Sequence, residues 1–219
     1  MYKLIIVAIF FCSSLYSQGE SSSNIFSLEG LRITGGFAYS NVGGDYIKDQ
    51  LDDIDGLKFK YVPGLSFGLE KDLPMEIIGG ITYTKRGTKV VYKDADFDFK
   101  EESTNTASYL TLYIVKSFPV GGFEIFGGGE AGTFWKGKYK YKQSYAGESY
   151  SDTETYDREE WQDDLDGKLY DFGLIGGITF PINQQFAIQG SYYFGFLDVF
   201  EDEETRSRSF KVVVIYIIG

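Results

Sequence analysis

The sequence predicts an all-β protein, an eight-stranded antiparallel up-and-down transmembrane β-barrel with short periplasmic turns and long acidic extracellular loops. Two observations predict this fold. After residue 29, apolar and polar residues alternate with period two in successive segments, as in half-exposed strands. Short connections that contain proline alternate with long acidic connections, as the short turns and long loops alternate in a barrel that spans a membrane. The short connections are Lys71–Met75, Phe118–Gly122 and Pro181–Gln185.

Eight segments show the alternation. In the second, Phe59, Tyr61 and Leu65 share one side, and Lys60 and Ser66 share the other. A narrow barrel has little interior room, so small and charged side chains are expected inside and bulky ones outside, against lipid. The alternative is a soluble lipocalin-like barrel with the bulky residues inside. The predicted strands span residues 30–41, 58–70, 76–90, 106–118, 122–136, 168–180, 185–197 and 208–218.

The long connections concentrate the negative charge. They carry 24 of the 32 acidic residues, at 42–57, 91–105, 137–167 and 198–207. Alternation continues through Lys138–Lys142, which predicts that the third connection rises as a hairpin above the membrane, with a ten-strand barrel as the alternative. An even number of strands places both termini beside the short turns, which is the periplasmic side in this class.

The beginning of the chain predicts export. A basic start and an apolar run from Leu4 to Phe11 are followed by small and polar residues, as in a cleaved signal peptide. We therefore divide the chain into a signal peptide at 1–17, a short periplasmic segment at 18–28 and an outer-membrane barrel at 29–219. The single cysteine, Cys12, lies within the signal peptide. A lipoprotein is the alternative there, but bulky Phe10 and Phe11 precede Cys12 where small residues are needed.

Five segments carry a resemblance to a known family, namely Tyr109–Lys116, Phe123–Gly129, Asp171–Gly177, Gln189–Gly195 and Arg206–Tyr216. The first two are similar to the "YLxxPxxxK … GxGxG" stretch of the outer-membrane protein β-barrel domain family of Gram-negative bacteria, whose members are often labelled porin-family or PorT-like. The resemblance covers roughly residues 28–219 and implies a cell-envelope protein that the outer-membrane assembly machinery inserts. Its motifs are patterns of packing and carry no catalytic residue.

The composition argues against an enzyme. The chain has no histidine, which removes hydrolytic arrangements that depend on imidazole as well as imidazole metal sites. We predict a non-enzymatic barrel with a structural or surface-interaction role through its acidic loops. The alternative is a narrow porin or an accessory component of transport or secretion across the outer membrane.

Charged residues on the inward parity predict an ion-pair network that fills the lumen, because buried charges must be paired. Paired carboxylates for acid–base chemistry and a gated narrow ion path are the alternatives. The predicted network consists of Arg32, Lys60, Glu70, Lys116, Glu124, Glu130 and Asp171, and Lys211 lies on or near the same parity.

Two loop segments repeat an acidic pattern that ends in glycine. Clustered carboxylates beside a glycine turn can bind Ca²⁺ or Mg²⁺, although neither segment has the complete twelve-residue loop, and a solvated acidic turn is the alternative. A bound cation would bridge the loops to phosphates of lipopolysaccharide. We predict no other cofactor. The candidate ligands are Asp52, Asp53, Asp55, Asp163, Asp164 and Asp166.

The predicted partners follow from the same features. They are outer-membrane lipid and lipopolysaccharide, the assembly machinery, and a protein partner at the extracellular loops. Nucleic acid is not expected, because the formal net charge is −11. The basic and aromatic segment Lys136–Lys142 is predicted to form the rim of the fifth strand at the lipid interface.

Overall fold

The computed structural model describes residues 30–94, 96–163, 167–199 and 205–218. The predicted signal peptide and the segment 18–28 lie outside these residues. Within the described ranges, no helix has both the length and the apolar character needed to cross a bilayer.

The described residues form nine strands, two short helices and one 3₁₀ turn. The 3₁₀ turn Pro74–Glu76 connects the second and third strands. The helices are α1 (Asp45–Asp53) and α2 (Arg158–Asp163). The strands are β1 (Leu31–Gly43), β2 (Lys58–Leu73), β3 (Ile77–Asp94), β4 (Phe99–Val120), β5 (Phe123–Tyr145), β6 (Glu148–Tyr156), β7 (Tyr170–Pro181), β8 (Phe186–Asp198) and β9 (Arg206–Ile218).

Eight of these strands close into an antiparallel ring. Each strand of the ring pairs with its neighbour along the chain, except that β5 pairs with β7. The first and last strands complete the ring, with Leu31 opposite Ile218. Among the described strands, β6 pairs only with the far half of β5, from Gly137 to Tyr145. The predicted eight-stranded antiparallel barrel is therefore confirmed, the predicted hairpin is β5–β6, and the ten-strand alternative is wrong.

The short connections gather at one end of the ring, together with Gly30 and Ile218. In one of them, the Asn183 carboxamide oxygen accepts hydrogen bonds from the main-chain N–H groups of Gln185 and Phe186. In another, Gly121 has a φ of +63°, a conformation that glycine adopts without the penalty imposed by a Cβ. Tight turns with this chemistry connect adjacent antiparallel strands.

At the other end, one side of the ring is much taller than the rest. The sequence predicted a loop over 91–105, but β3 continues to Asp94 and β4 begins at Phe99. Polar residues remain in strand conformation here because each strand finds a hydrogen-bonding partner, from β3 through β4 and β5 to β6. We call this extension the projecting sheet, comprising residues 85–94, 99–108, 136–145 and 148–156.

Bulky side chains cover the outside of the ring, which we call the outer wall. Phe37 and Leu65 are each 56% exposed, and Leu174 is 54% exposed. The neighbouring positions Ala38, Ser66 and Ile175 point inward and are buried. A water-soluble monomer rarely exposes so continuous an apolar surface. The soluble lipocalin-like alternative required these bulky groups inside, and it is therefore wrong.

Candidate functional site in the closed lumen

Among the described residues, three layers of buried side chains occupy the lumen. The layer nearest the short turns is mostly apolar. There Val115, Phe126 and Ile175 converge from three different strands and are each at most 5% exposed. The hydroxyl of Tyr113 hydrogen-bonds to Glu70 beside this layer, which satisfies part of that buried carboxyl group. The apolar layer consists of Ile78, Tyr113, Val115, Phe126, Ile175 and Tyr193.

The middle layer is a group of four paired charges, which we call the charge cluster. It comprises Arg86, Glu130, Asp171 and Lys211, all buried. Arg86 Nη1 lies 2.5 Å from Asp171 Oδ2, and Arg86 Nη2 pairs with Glu130. Lys211 Nζ lies 2.9 Å from the second oxygen of Glu130. Two positive and two negative charges balance, which is the condition for keeping ions in a low-dielectric interior.

Tyrosine rings hold the arginine of the charge cluster in place. The Tyr193 hydroxyl donates to Asp171 Oδ1 at 2.7 Å. The Arg86 guanidinium carbon lies 3.9 Å from the Tyr193 ring centroid and 5.5 Å from that of Tyr109. Stacking of a planar cation on an aromatic face adds to the ion pairs when both groups are desolvated. The cluster is thus fixed by salt bridges, a hydrogen bond and ring contacts together.

The third layer is a tryptophan inserted from the longest connection. Trp161 of α2 is 1% exposed and stacks on Phe134, with ring centroids 4.7 Å apart. Glycines make room for the indole, since a Cβ on Gly137 would lie 2.7 Å from it and one on Gly167 would lie 2.1 Å from it. Arg158 secures the same helix by donating to the Phe134 carbonyl oxygen at 2.9 Å.

A small cavity separates this tryptophan from the charge cluster. It has a volume of about 30 Å³, and Asn41, Arg86, Asn105, Tyr109 and Trp161 are among its lining residues. That volume is enough for about one or two water molecules. It is far smaller than a continuous aqueous path through the barrel.

The structure brings together only part of the predicted lumen network. Glu130 and Asp171 belong to the charge cluster, and Glu70 is buried in the lumen. Arg32 instead pairs with Asp72 at the short-turn end, with a nitrogen–oxygen distance of 2.7 Å. Glu124, near the same end, accepts a hydrogen bond from a serine hydroxyl, that of Ser117.

Two predicted members lie outside the network. Lys116 is exposed, because it shares the outward parity of Ile114 on β4. Its Nζ lies 5.6 Å from the Phe118 ring centroid, a position from which a lysine can extend toward water. Lys60 is also exposed, near the start of β2. The prediction that these two lysines belong to the lumen network is wrong.

Arg86, the centre of the charge cluster, is absent from the predicted network. The sequence does indicate the position of Arg86, because this residue continues the inward parity of Ile78, Thr82 and Thr84 along β3. Following that parity two residues further would have placed a cation in the lumen opposite the two carboxylates.

The candidate cation ligands lie in or near the long connections. Asp53, Asp55 and Asp163 are exposed. The side chain of Asp52 and the whole of Asp164 and Asp166 lie outside the described part. Among the residues that the structure describes, no group of three or more carboxylates is arranged to hold a metal ion. The Ca²⁺ or Mg²⁺ site therefore stays a prediction.

One carboxylate on the projecting sheet has a strongly altered acidity. Hydrogen bonds from Lys100 and Lys89 lower the pKa of Glu102 to about 2. The stabilisation from these contacts is therefore complete above about pH 4.5, the ordinary value, and is lost as the pH falls through 2. We expect the carboxyl carbon resonance of Glu102 to titrate with a midpoint near 2, and K100Q to move that midpoint upward. A midpoint near 4.5 in the unmodified protein would contradict the contact geometry.

The ring closure, the apolar outer wall and the charge-paired interior define a class, namely a small β-barrel suited to a lipid bilayer. Several solved structures are similar to this chain. Neisserial surface protein A matches with 12% identity and a TM-score of 0.45, over 87% of this chain and 98% of that one. Ail, the attachment invasion locus protein of Yersinia pestis, solved with the heparin analogue sucrose octasulfate, matches with 18% identity and a TM-score of 0.42, over 86% and 98%.

A third similar structure is the outer membrane protein OprG from Pseudomonas aeruginosa, with 13% identity and a TM-score of 0.37, over 86% of this chain and 95% of that one. No family model matches the chain, and no curated protein matches it. The fold assignment therefore depends on the strand pairing described above.

Proposed function

We propose that this protein is a non-enzymatic outer-membrane β-barrel whose lumen is sealed and whose role is structural or one of surface interaction. The apolar outer wall supports a position in the bilayer, because a closed ring leaves no unpaired strand edge in lipid. In this orientation the short turns face the periplasm, and the projecting sheet and long connections face the exterior. The predicted protein partner would meet the molecule at that exterior end.

The filled lumen is the observation that carries this proposal. An apolar layer, the charge cluster and Trp161 occupy the interior in succession. An ion path would need room for hydrated ions past all three layers, and the cavity beside Arg86 holds about 30 Å³. The sealed interior favours a structural or surface role over the narrow-porin alternative. The resemblance to porin-family or PorT-like proteins adds a cell-envelope location to the proposal and no transport activity.

The geometry of the carboxylates supports the absence of catalysis. Glu130 and Asp171 are both buried, and each is bonded to Arg86. A general acid or base needs access to a substrate and a pKa near the working pH. Carboxylates held as counter-ions inside a closed barrel lack that access.

Conductance in planar bilayers tests the sealed lumen. The purified barrel should first migrate differently before and after boiling, which verifies that it is folded. We expect no stable conductance steps from the folded protein, with an established porin in the same bilayers as the positive control. Reproducible ion-selective steps would favour the transport alternative.

A further inference from the structure

The projecting sheet sorts its charges by face. On its outward side, the residues that carry charge are almost all lysines, and Glu102 is the single acid among the described residues of that side. We call this side the lysine face. Its principal members are Lys89, Lys93, Lys100, Lys138, Lys140 and Lys142.

The inward side of the same sheet is acidic and rich in tyrosine. Its carboxylates are Asp94, Glu101, Glu148, Asp152 and Glu154. Above Arg86, the described strands place no lysine or arginine on this inward side. In a sheet that is solvated equally on both faces, mixing positive and negative charges on each face would increase stability. The separation of the lysines from the carboxylates therefore indicates that the two faces meet different environments.

Two members of the lysine face oppose one another across adjacent strands. Lys93 lies directly opposite Lys100 in the β3–β4 register. Like charges at directly opposed positions destabilise a sheet unless an anion lies nearby. Glu102 supplies part of that compensation, because it bonds to Lys89 at 2.6 Å and to Lys100 at 2.5 Å. The row Lys138, Lys140 and Lys142 on β5 is exposed.

The lysine face continues the outer wall. The β3–β4 register runs without interruption from Ile81 to Asp94, so the outward parity of the wall becomes that of the lysine face. Trp135 is 52% exposed and immediately precedes Lys136 at a bulge in β5. An exposed tryptophan at the end of an apolar wall marks the height of a membrane interface.

The lysine face therefore begins at the outer boundary of the hydrocarbon core of the membrane. From Lys136 to Lys142 the strand rises roughly 20 Å along its own axis, at about 3.3 Å per residue. A tilt of about 45° reduces this to roughly 14 Å along the membrane normal. That height spans the headgroup layer of the outer leaflet.

We propose that the lysine face binds the phosphate groups of anionic glycolipids, of the lipopolysaccharide type, that stand in the outer leaflet beside the barrel. The inference depends on the proposed membrane position. Charge complementarity and continuity with the outer wall both select this ligand. A lipid headgroup is held at the height of Trp135, where the lysine face begins. A soluble polyanion is not confined to that height, so its binding would not require the lysines to start there.

Quenching of Trp135 by brominated phosphatidylcholine provides the assay. In reconstituted vesicles the exposed indole should be quenched, and buried Trp161 should give an unquenched background. Lipid A that binds beside Trp135 displaces the brominated lipid and restores fluorescence. We expect bisphosphorylated lipid A to restore it at a roughly tenfold lower mole fraction than the same lipid without phosphates, because each lysine near an anionic headgroup adds to the preference.

The test variant is K138Q/K140Q/K142Q, and the matched control on the opposite face of the same hairpin is E148Q/D152N/E154Q. The lysine variant should lose most of the phosphate preference, and the control should keep it. Equal responses to the two lipids in the unmodified protein, or an unchanged preference in the lysine variant, would overturn the inference while leaving the membrane position intact. An unquenched Trp135 would overturn the membrane position and the inference together.

A second experiment, with a soluble phosphate compound, distinguishes a lipid headgroup from a soluble polyanion as the source of the phosphate. Inositol hexakisphosphate is added to the detergent-folded barrel at the same phosphate concentration. We expect weak binding that the three lysine substitutions change little. Tight binding that depends on these lysines, without any preference between the two lipids in vesicles, would assign the face to a soluble polyanion and overturn the proposal.

Discussion

Replacement of Arg86 by methionine is expected to lower the free energy of unfolding by about 3–5 kcal/mol. The substitution keeps much of the side-chain volume but leaves Asp171 with only the Tyr193 hydroxyl and Glu130 with only Lys211. Unpaired charge in a low-dielectric interior is strongly destabilising. The measurement is urea unfolding of the barrel in lipid vesicles, monitored by tryptophan fluorescence.

The matched control is R206Q. Arg206 is exposed and lies 3.9 Å from Asp198, so its loss should change stability by less than about 1 kcal/mol. The double variant R86M/D171N should be less destabilised than the sum of its two single variants, because it removes a charge that R86M leaves unpaired. A loss below about 1 kcal/mol for R86M would show that the cluster does not hold the barrel together.

Replacement of Trp161 by alanine is expected to undock α2 from the mouth of the barrel. Truncation of a fully buried tryptophan typically loses about 3–5 kcal/mol, and here that loss acts on a local docking equilibrium and not on the ring. Trypsin should therefore cleave after Arg158 roughly 100-fold faster or more, since a loss near 3 kcal/mol corresponds to that factor. The ring itself should stay folded by the boiling test.

W135A is the control for this experiment, because Trp135 is exposed at the end of the outer wall, whereas Trp161 is buried. Its cleavage rate after Arg158 should match that of the unmodified protein. W161A should also give no conductance steps in planar bilayers, since the charge cluster and the apolar layer still fill the lumen. A cleavage rate unchanged by W161A would mean that the tryptophan does not anchor the helix.

The direction of the side chains was predictable from the sequence. Period-two alternation fixes which residues share a side, and the narrow interior selects small and charged groups. These two rules predict that Glu130 and Asp171 face the lumen, and the structure buries both. The charge of Lys116 does not place it in the lumen, because it shares the outward parity of Ile114. Arg86 continues the inward parity of Thr84 on β3, so the same alternation predicts its position in the lumen.

Other features depend on long-range contacts that local patterns do not encode. The strand character of residues 99–105 comes from pairing with β3 and β5 and not from an apolar face. The insertion of Trp161 depends on the space left by Gly137 and Gly167, which are remote from one another in the sequence. No period-two or helical pattern in an acidic connection predicts such an insertion.

The pairing of Leu31 with Ile218 has a consequence for biogenesis. Because β1 pairs with β9, the ring cannot be completed until β9 has emerged. Before that moment β1 and β9 each present a row of unsatisfied main-chain groups, which hydrocarbon does not tolerate. Insertion should therefore be a late, all-or-none event, and a truncation that removes β9 should leave the remaining strands stalled outside the bilayer.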